Sequence, residues 1–123
     1  MPASDRWVGL SPRQRLRLEE AVRRAETSSR VEFSVFVGDV EGDPRAYAVR
    51  LHQALKTPAR SVLVMVDPTA GALEVVTGDD VRRTLSDAEA GLAVEEMLAS
   101  FREHDLVGGL VRGLGMLADH ARG

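Results

Sequence analysis

The sequence predicts an α/β fold, a single mixed β-sheet flanked by helices on both faces, with elements in the order α-β-α-β-β-α-α. Three observations predict it. Ser11-Pro12-Arg13-Gln14 and Ser86-Asp87-Ala88-Glu89 are capping boxes, each opening a stretch whose apolar residues recur at helical spacing. Val31–Val37 and Ser61–Val66 are short runs rich in branched residues and bounded by turn formers. Asp67-Pro68-Thr69-Ala70-Gly71 is a turn that folds a third strand back on the second. One sheet with helices on both sides is the economical way to bury such a set.

Residues 1–10 have no periodicity and read as a flexible N-terminal arm, with Trp7 the one residue suited to tack it down. The single domain spans 11–123. Ser11 caps the first helix, Pro12 takes its first position, and Leu18, Ala21, Val22 and Ala25 form its inner face, opposite Arg17, Glu20, Arg23 and Arg24. Thr27-Ser28-Ser29 ends it, and the alternating Val31–Val37 segment follows as a strand. Asp43-Pro44 opens a second helix running to about Leu55, with Tyr47, Leu51, Ala54 and Leu55 inward. Val62-Leu63-Val64-Met65-Val66 is apolar throughout, as expected of a central strand covered on both faces. Its helical connection to the first strand makes the two parallel with a right-handed crossover. Ala72–Thr77 returns antiparallel. Val81–Leu85 is one helical turn. The helix after Ser86 turns Leu92, Ala93, Met97, Leu98 and Phe101 inward, and the last helix runs from Leu106 to about Ala121.

Composition narrows the function. The 123 residues suit one domain, 44% hydrophobic and 28% charged. There is no cysteine, which excludes disulfides, thiol nucleophiles and zinc-cysteine sites. No apolar run approaches the length that spans a bilayer, and the amino terminus lacks a signal-peptide pattern, so the expected location is cytoplasmic, without membrane insertion. A net charge of -3 argues against nucleic acid as a partner. Fifteen of the sixteen basic residues are arginine, a bias that GC-rich coding explains, with a set of phosphate-grasping arginines as the alternative.

The topology sorts the acids into two rims. Asp39, Glu41, Asp43 and Asp67 follow the carboxyl ends of the parallel strands, where open sheets bind ligands. They form either a hard-cation site or a solvated loop. Asp79, Asp80, Arg82, Arg83, Thr84 and Asp87 gather at the opposite rim with Arg30 and Arg60. There the candidate metal ligands are Asp79, Asp80 and Asp87, with Arg82 and Arg83 on a phosphate. The alternative is capping and surface ion pairing, which accounts for Asp87 by itself. His52, His104 and His120 have no ligand-type spacing and read as surface residues. Ser34 and Ser61 lie outside any nucleophile elbow. Gly108, Gly109, Gly113 and Gly115 mark close approach of the last helix to a neighbour, or a dimer contact.

Leu73-Glu74-Val75, the glycine-containing loop, Val81-Arg82-Arg83-Thr84-Leu85-Ser86-Asp87-Ala88-Glu89-Ala90 and Phe101-Arg102-Glu103-His104-Asp105-Leu106-Val107-Gly108-Gly109-Leu110 together resemble the TPM domain, found in a thylakoid-lumen phosphatase and in many bacterial proteins. The resemblance runs from about residue 14 to 119 and is closest to a small bacterial branch. It implies a sheet between helices, acid phosphatase activity and calcium binding near the loop before the Asp-Ala helix start. Asp87 and Asp105 match family aspartates. The family's Gly-Tyr-Gly loop is here Val76-Thr77-Gly78-Asp79-Asp80, and His104-Asp105-Leu106 replaces Gly-Asp-Tyr. The expectation is therefore a binding or regulatory module for a protein partner, without strong catalysis. The alternatives are a weak calcium- or magnesium-dependent phosphatase and a homo-oligomeric structural protein, a homodimer through the last helix or an open sheet edge.

Overall fold

The computed structural model describes residues 7–122 and has the expected order of elements. Helix α1 (Pro12–Ser29) precedes strand β1 (Glu32–Val37), and helix α2 (Pro44–Gln53) leads to β2 (Ser61–Asp67) and β3 (Ala72–Thr77). Helices α3 (Asp87–Arg102) and α4 (Leu106–Arg122) complete the chain, and 3-10 turns at Pro58–Arg60 and Val81–Arg83 flank the hairpin. The sheet order is β1-β2-β3. β1 pairs parallel to β2, with Phe33 opposite Val62, and β2 pairs antiparallel to β3, with Val64 opposite Val75.

Both capping boxes form. Ser11 accepts the Gln14 N–H while the Gln14 side chain accepts the Ser11 N–H, and Ser86 and Glu89 repeat the arrangement. Asp43 accepts the Ala46 N–H at 2.8 Å and starts α2. That helix stops at Gln53, short of Leu55, because the Ala54 and Leu55 N–H groups close the last turn and Pro58 then sets a new one.

Alternation splits the core in two. Phe33, Val35, Val37, Val62, Val64 and Val66 face α1, α3 and α4, and Leu63, Met65 and Val76 face α2. Every residue of β2 is buried, as its unbroken apolar run requires. The outer layer beyond the first face is α4, which packs against both α1 and α3. Two inward assignments change. Leu92 is 52% exposed, because Ala90, Ala93, Met97 and Ser100 form the inner face of α3. Ala54 is exposed, beyond the end of α2. His52, read as a surface residue, is buried and donates from Nε2 to the Ser61 carbonyl at 3.0 Å.

Of the arm expected over residues 1–10, positions 1–6 lie outside the described residues. Trp7 is 1% exposed, and its indole N–H donates to the Val35 carbonyl at 2.8 Å. Trp7 bridges Val37 in parallel fashion, and the Val8 N–H donates to the Val37 carbonyl. The outer edge of β1 is thereby closed by the segment that precedes α1.

Candidate functional site

The register places the two rims at opposite ends of the sheet. Asp67 pairs with Ala72 at one end and Val62 with Thr77 at the other, about 20 Å apart for strands of this length. Asp67 and Asp79 do not share a site.

At the first rim Asp67 is 4% exposed. Its Oδ1 accepts the Ala70 N–H at 3.0 Å and its Oδ2 accepts the Val40 N–H at 3.0 Å. The Ala70, Val40 and Thr69 N–H groups hold the Asp67 carboxyl below the usual carboxylate range, against the opposing effect of burial. The carboxylate thus ties the β1–α2 loop to the β2–β3 turn. Asp39 and Glu41 are exposed and Asp43 is spent on its cap.

At the second rim Asp79 pairs with Arg82, whose other terminal nitrogen donates to the Thr77 carbonyl at 2.5 Å. Asp80 lies 3.9 Å from Arg83, and Asp87 occupies the first turn of α3. Thr84 donates to the Ala121 carbonyl at 2.6 Å, which fastens this rim to the end of α4. Glu89 lies 2.9 Å from His120. The Ser86 backbone N–H, its hydroxyl and His120 lower the Glu89 pKa, against burial. Among the described residues no three His, Asp or Glu side chains stand where they could hold one metal, so Asp79, Asp80 and Asp87 are not brought together.

Asp105 caps α4. Its Oδ1 accepts the Gly108 N–H at 3.0 Å, and its Oδ2 lies 3.3 Å from Arg112, which also reaches Ser100 and Glu96. Of the α4 glycines, Gly109 and Gly113 lie against α3. A Cβ on Gly109 would stand 2.7 Å from the Ser100 Cβ, and one on Gly113 2.5 Å from Met97. That face, offered by the sequence as a dimer contact, is covered from within.

One feature with room for a ligand was not singled out in the sequence, whereas a second, of about 420 Å³, is lined by Arg82 and Asp87 of the second rim together with Arg45 and Glu74. The first is a cleft of about 490 Å³ that opens at the carboxyl end of β2, between the hairpin turn and the α3–α4 corner. Val66, Leu98, Phe101 and Leu106 give it apolar walls, and Asp67, Arg102 and His104 are its charged or titratable lining. The Arg102 and His104 side chains have no hydrogen bond or ion pair among the described residues. His104 sits at φ 62°, a left-handed position that ends α3 and turns the chain into α4. The one sequence signal for this cleft is the rule that ligands enter at strand carboxyl ends; its walls come from helices more than 30 positions away in sequence.

A family model described as "Domain of unknown function (DUF5130)" matches residues 5–118. Two relatives are uncharacterized proteins of Mycobacterium tuberculosis, MT2543 of strain CDC 1551 / Oshkosh and Rv2468c of strain H37Rv. Each is 31% identical over 101 residues, covering 82% of this chain and 60% of the relative. The chain thus spans about three fifths of the length of the curated relatives it matches. Among solved structures, the BA42 protein of the psychrophilic bacterium Bizionia argentinensis is similar with a TM-score of 0.82 at 19% identity, over 93% of this chain and 81% of that one. The N-terminal domain of cg2496 from Corynebacterium glutamicum is similar with a TM-score of 0.76 at 15% identity, over 90% and 73%. These structures share the fold. The resemblance to the TPM domain is corrected by the family match. The residues that carried it are ones this fold uses for itself: Glu89 in a capping box, Asp105 at a helix start and Gly109 in close packing. Acid phosphatase activity and calcium binding, as that resemblance implied them, lose their support with it. Among the described residues no helix is long and apolar enough to cross a membrane.

Proposed function

The chain belongs to the family described as a domain of unknown function, DUF5130, and from that premise we propose that it is a binding module rather than a catalyst. The supporting observation is the cleft at the carboxyl end of β2. Its apolar walls, Leu98, Phe101 and Leu106, are only half-buried, and its Arg102 and His104 side chains are left unused by the fold. The acids of both rims are instead spent on loop anchoring, capping and ion pairs or stand exposed without a second group to act with. Apolar walls with a few placed charged groups are the usual make-up of a small-molecule pocket.

The ligand class that fits is an apolar group carrying a carboxylate. Its body would lie on Leu98, Phe101 and Leu106, and its charge would meet the Arg102 guanidinium, whose planar fork matches a carboxylate. The negative charge of Asp67 is answered by three backbone N–H groups and does not compete for Arg102.

Titration with phenylacetate and hexanoate, followed by amide chemical shifts, tests the reading. Shifts centred on Leu98, Phe101 and Ala72, weakened about tenfold in Arg102→Glu, are expected (about 1.4 kcal/mol). Unchanged spectra at millimolar ligand, or shifts that survive Arg102→Glu, would overturn it.

A further inference from the structure

Helix α1 carries a face that the fold does not use. Leu18, Ala21 and Ala25 point into the core. At about 100° per residue, Arg13, Leu16, Arg17, Glu20, Arg23 and Arg24 share the opposite side, and all six are exposed. Leu16, among these arginines, is 57% exposed. Glu19 and Glu26 are turned off this face, and Glu26 accepts the Phe33 N–H at 3.1 Å. Four cations therefore stand with one acid.

Their lack of partners sets them apart from the paired arginines of the domain. Arg45, Arg82, Arg83, Arg112 and Arg122 all make ion pairs within the domain. Arg13, Arg17, Arg23 and Arg24 have neither an ion pair nor a hydrogen bond among the described residues. Residues 12–30 hold six arginines and three glutamates, a net charge of +3 in a chain of net -3, so the remainder carries -6.

The arrangement works against the helix. α1 has no acid in its first turn, and Arg13 sits at the positive end of the helix dipole. Arg13 and Arg17 are like charges four residues apart, which weakens a helix by a few tenths of a kcal/mol. In α3 the same dipole is met by Asp87 and Glu89. Among the described residues no ion pair to Arg13 or Arg17 offsets that cost, and an acid from outside would.

We propose that the outward face of α1 is a docking surface for an acidic segment of a partner protein, in which an apolar side chain set on Leu16 is flanked by carboxylates held by Arg13, Arg17, Arg23 and Arg24. Guanidinium forks grip carboxylates bidentately, and arginine is enriched among the residues that dominate protein interfaces. A shallow depression lined by Glu20, Arg23, Arg24, Thr27 and Ser28 gives the face relief. One exposed leucine is too little apolar area to hold a helix in a lipid interface, and the net negative charge of the chain disfavours nucleic acid. The surface is separate from the cleft, so neither proposal depends on the other.

The test uses a fluorescein-labelled 16-residue peptide of repeating Glu-Leu-Asp-Glu and its Ser-for-Leu counterpart. Fluorescence anisotropy measures affinity and amide shifts locate the site. The leucine peptide should shift signals between Arg13 and Thr27 and bind several-fold tighter than the serine peptide. Arg17→Glu with Arg24→Glu should weaken it at least tenfold, and Arg17→Gln with Arg24→Gln should weaken it by less. Leu16→Ala should erase the preference for leucine over serine. Shifts elsewhere on the domain, affinity indifferent to the arginine variants, or equal affinity for the two peptides would overturn the proposal. So would tighter binding to duplex DNA or to phosphatidylserine vesicles than to the leucine peptide.

Discussion

The carboxylate of Asp67 accepts the N–H of Val40, 27 positions earlier in the chain, at 3.0 Å. With the Ala70 N–H on its other oxygen, it holds two loops in place at the mouth of the cleft. Asp67→Ala leaves both donors without an acceptor and should lower the thermal midpoint far more than Asp39→Asn, since Asp39 is exposed. Because the Asp67 pKa is lowered on folding, its stabilisation is complete above the unfolded value near 4 and fades as pH falls through the lower folded value. Thermal melts of the two variants and the parent between pH 2.5 and 7, values chosen to bracket about pH 4, should show the parent losing its advantage over Asp67→Ala only at the acid end.

Two glycines on one helix should respond oppositely to alanine. At Gly109 a methyl group meets the Ser100 Cβ at 2.7 Å and the Phe101 ring at 3.1 Å, and overpacking there should cost about 1–3 kcal/mol. At Gly115 nothing lies within 4 Å, so Gly115→Ala should stabilise by about 0.5–1 kcal/mol through helix propensity. Urea denaturation of both variants reads the sign directly.

The single tryptophan reports on the closed edge of β1. Trp7→Phe keeps most of the packing and removes the hydrogen bond to Val35, for about 1 kcal/mol. Trp7→Ala removes both and should cost about 3–5 kcal/mol. In the parent protein, indole emission should be blue-shifted when folded and move to the red in the same transition that circular dichroism follows.

The edge of β3 is guarded by side chains instead of by a strand. The ladder leaves Val75 and Thr77 with outward carbonyls, and Arg45 and Arg82 donate to them at 2.8 and 2.5 Å. Charged residues on an edge discourage strand addition by another molecule. Replacing both arginines with alanine should produce concentration-dependent self-association, measured by light scattering, while the parent and the Arg83→Ala control scatter alike at the same concentration.

What the sequence made legible was local. Ser11 with Gln14 and Ser86 with Glu89 mark helix starts because cap and donor lie three residues apart. Val62–Val66 marks the central strand because burial on both faces leaves no room for polar residues. The misread residues depend on distant partners. His52 is buried with its Nε2 on the carbonyl of Ser61, Leu92 is exposed because α4 covers a different face of α3, and Asp67 is buried as the acceptor for the distant Val40 N–H. The arginines of α1 looked like ordinary solvated charge. Only the ion-pair pattern of the whole domain distinguishes them from Arg45 or Arg112.

Helices α1 and α4 begin and complete the described helical framework, yet they pack side by side. During synthesis, α1, the sheet and α3 emerge from the ribosome while the surfaces that Leu110, Leu114 and Leu117 will cover are still wet. A nascent chain stalled before Gly109 should therefore remain open to protease, and closure should come as one late event.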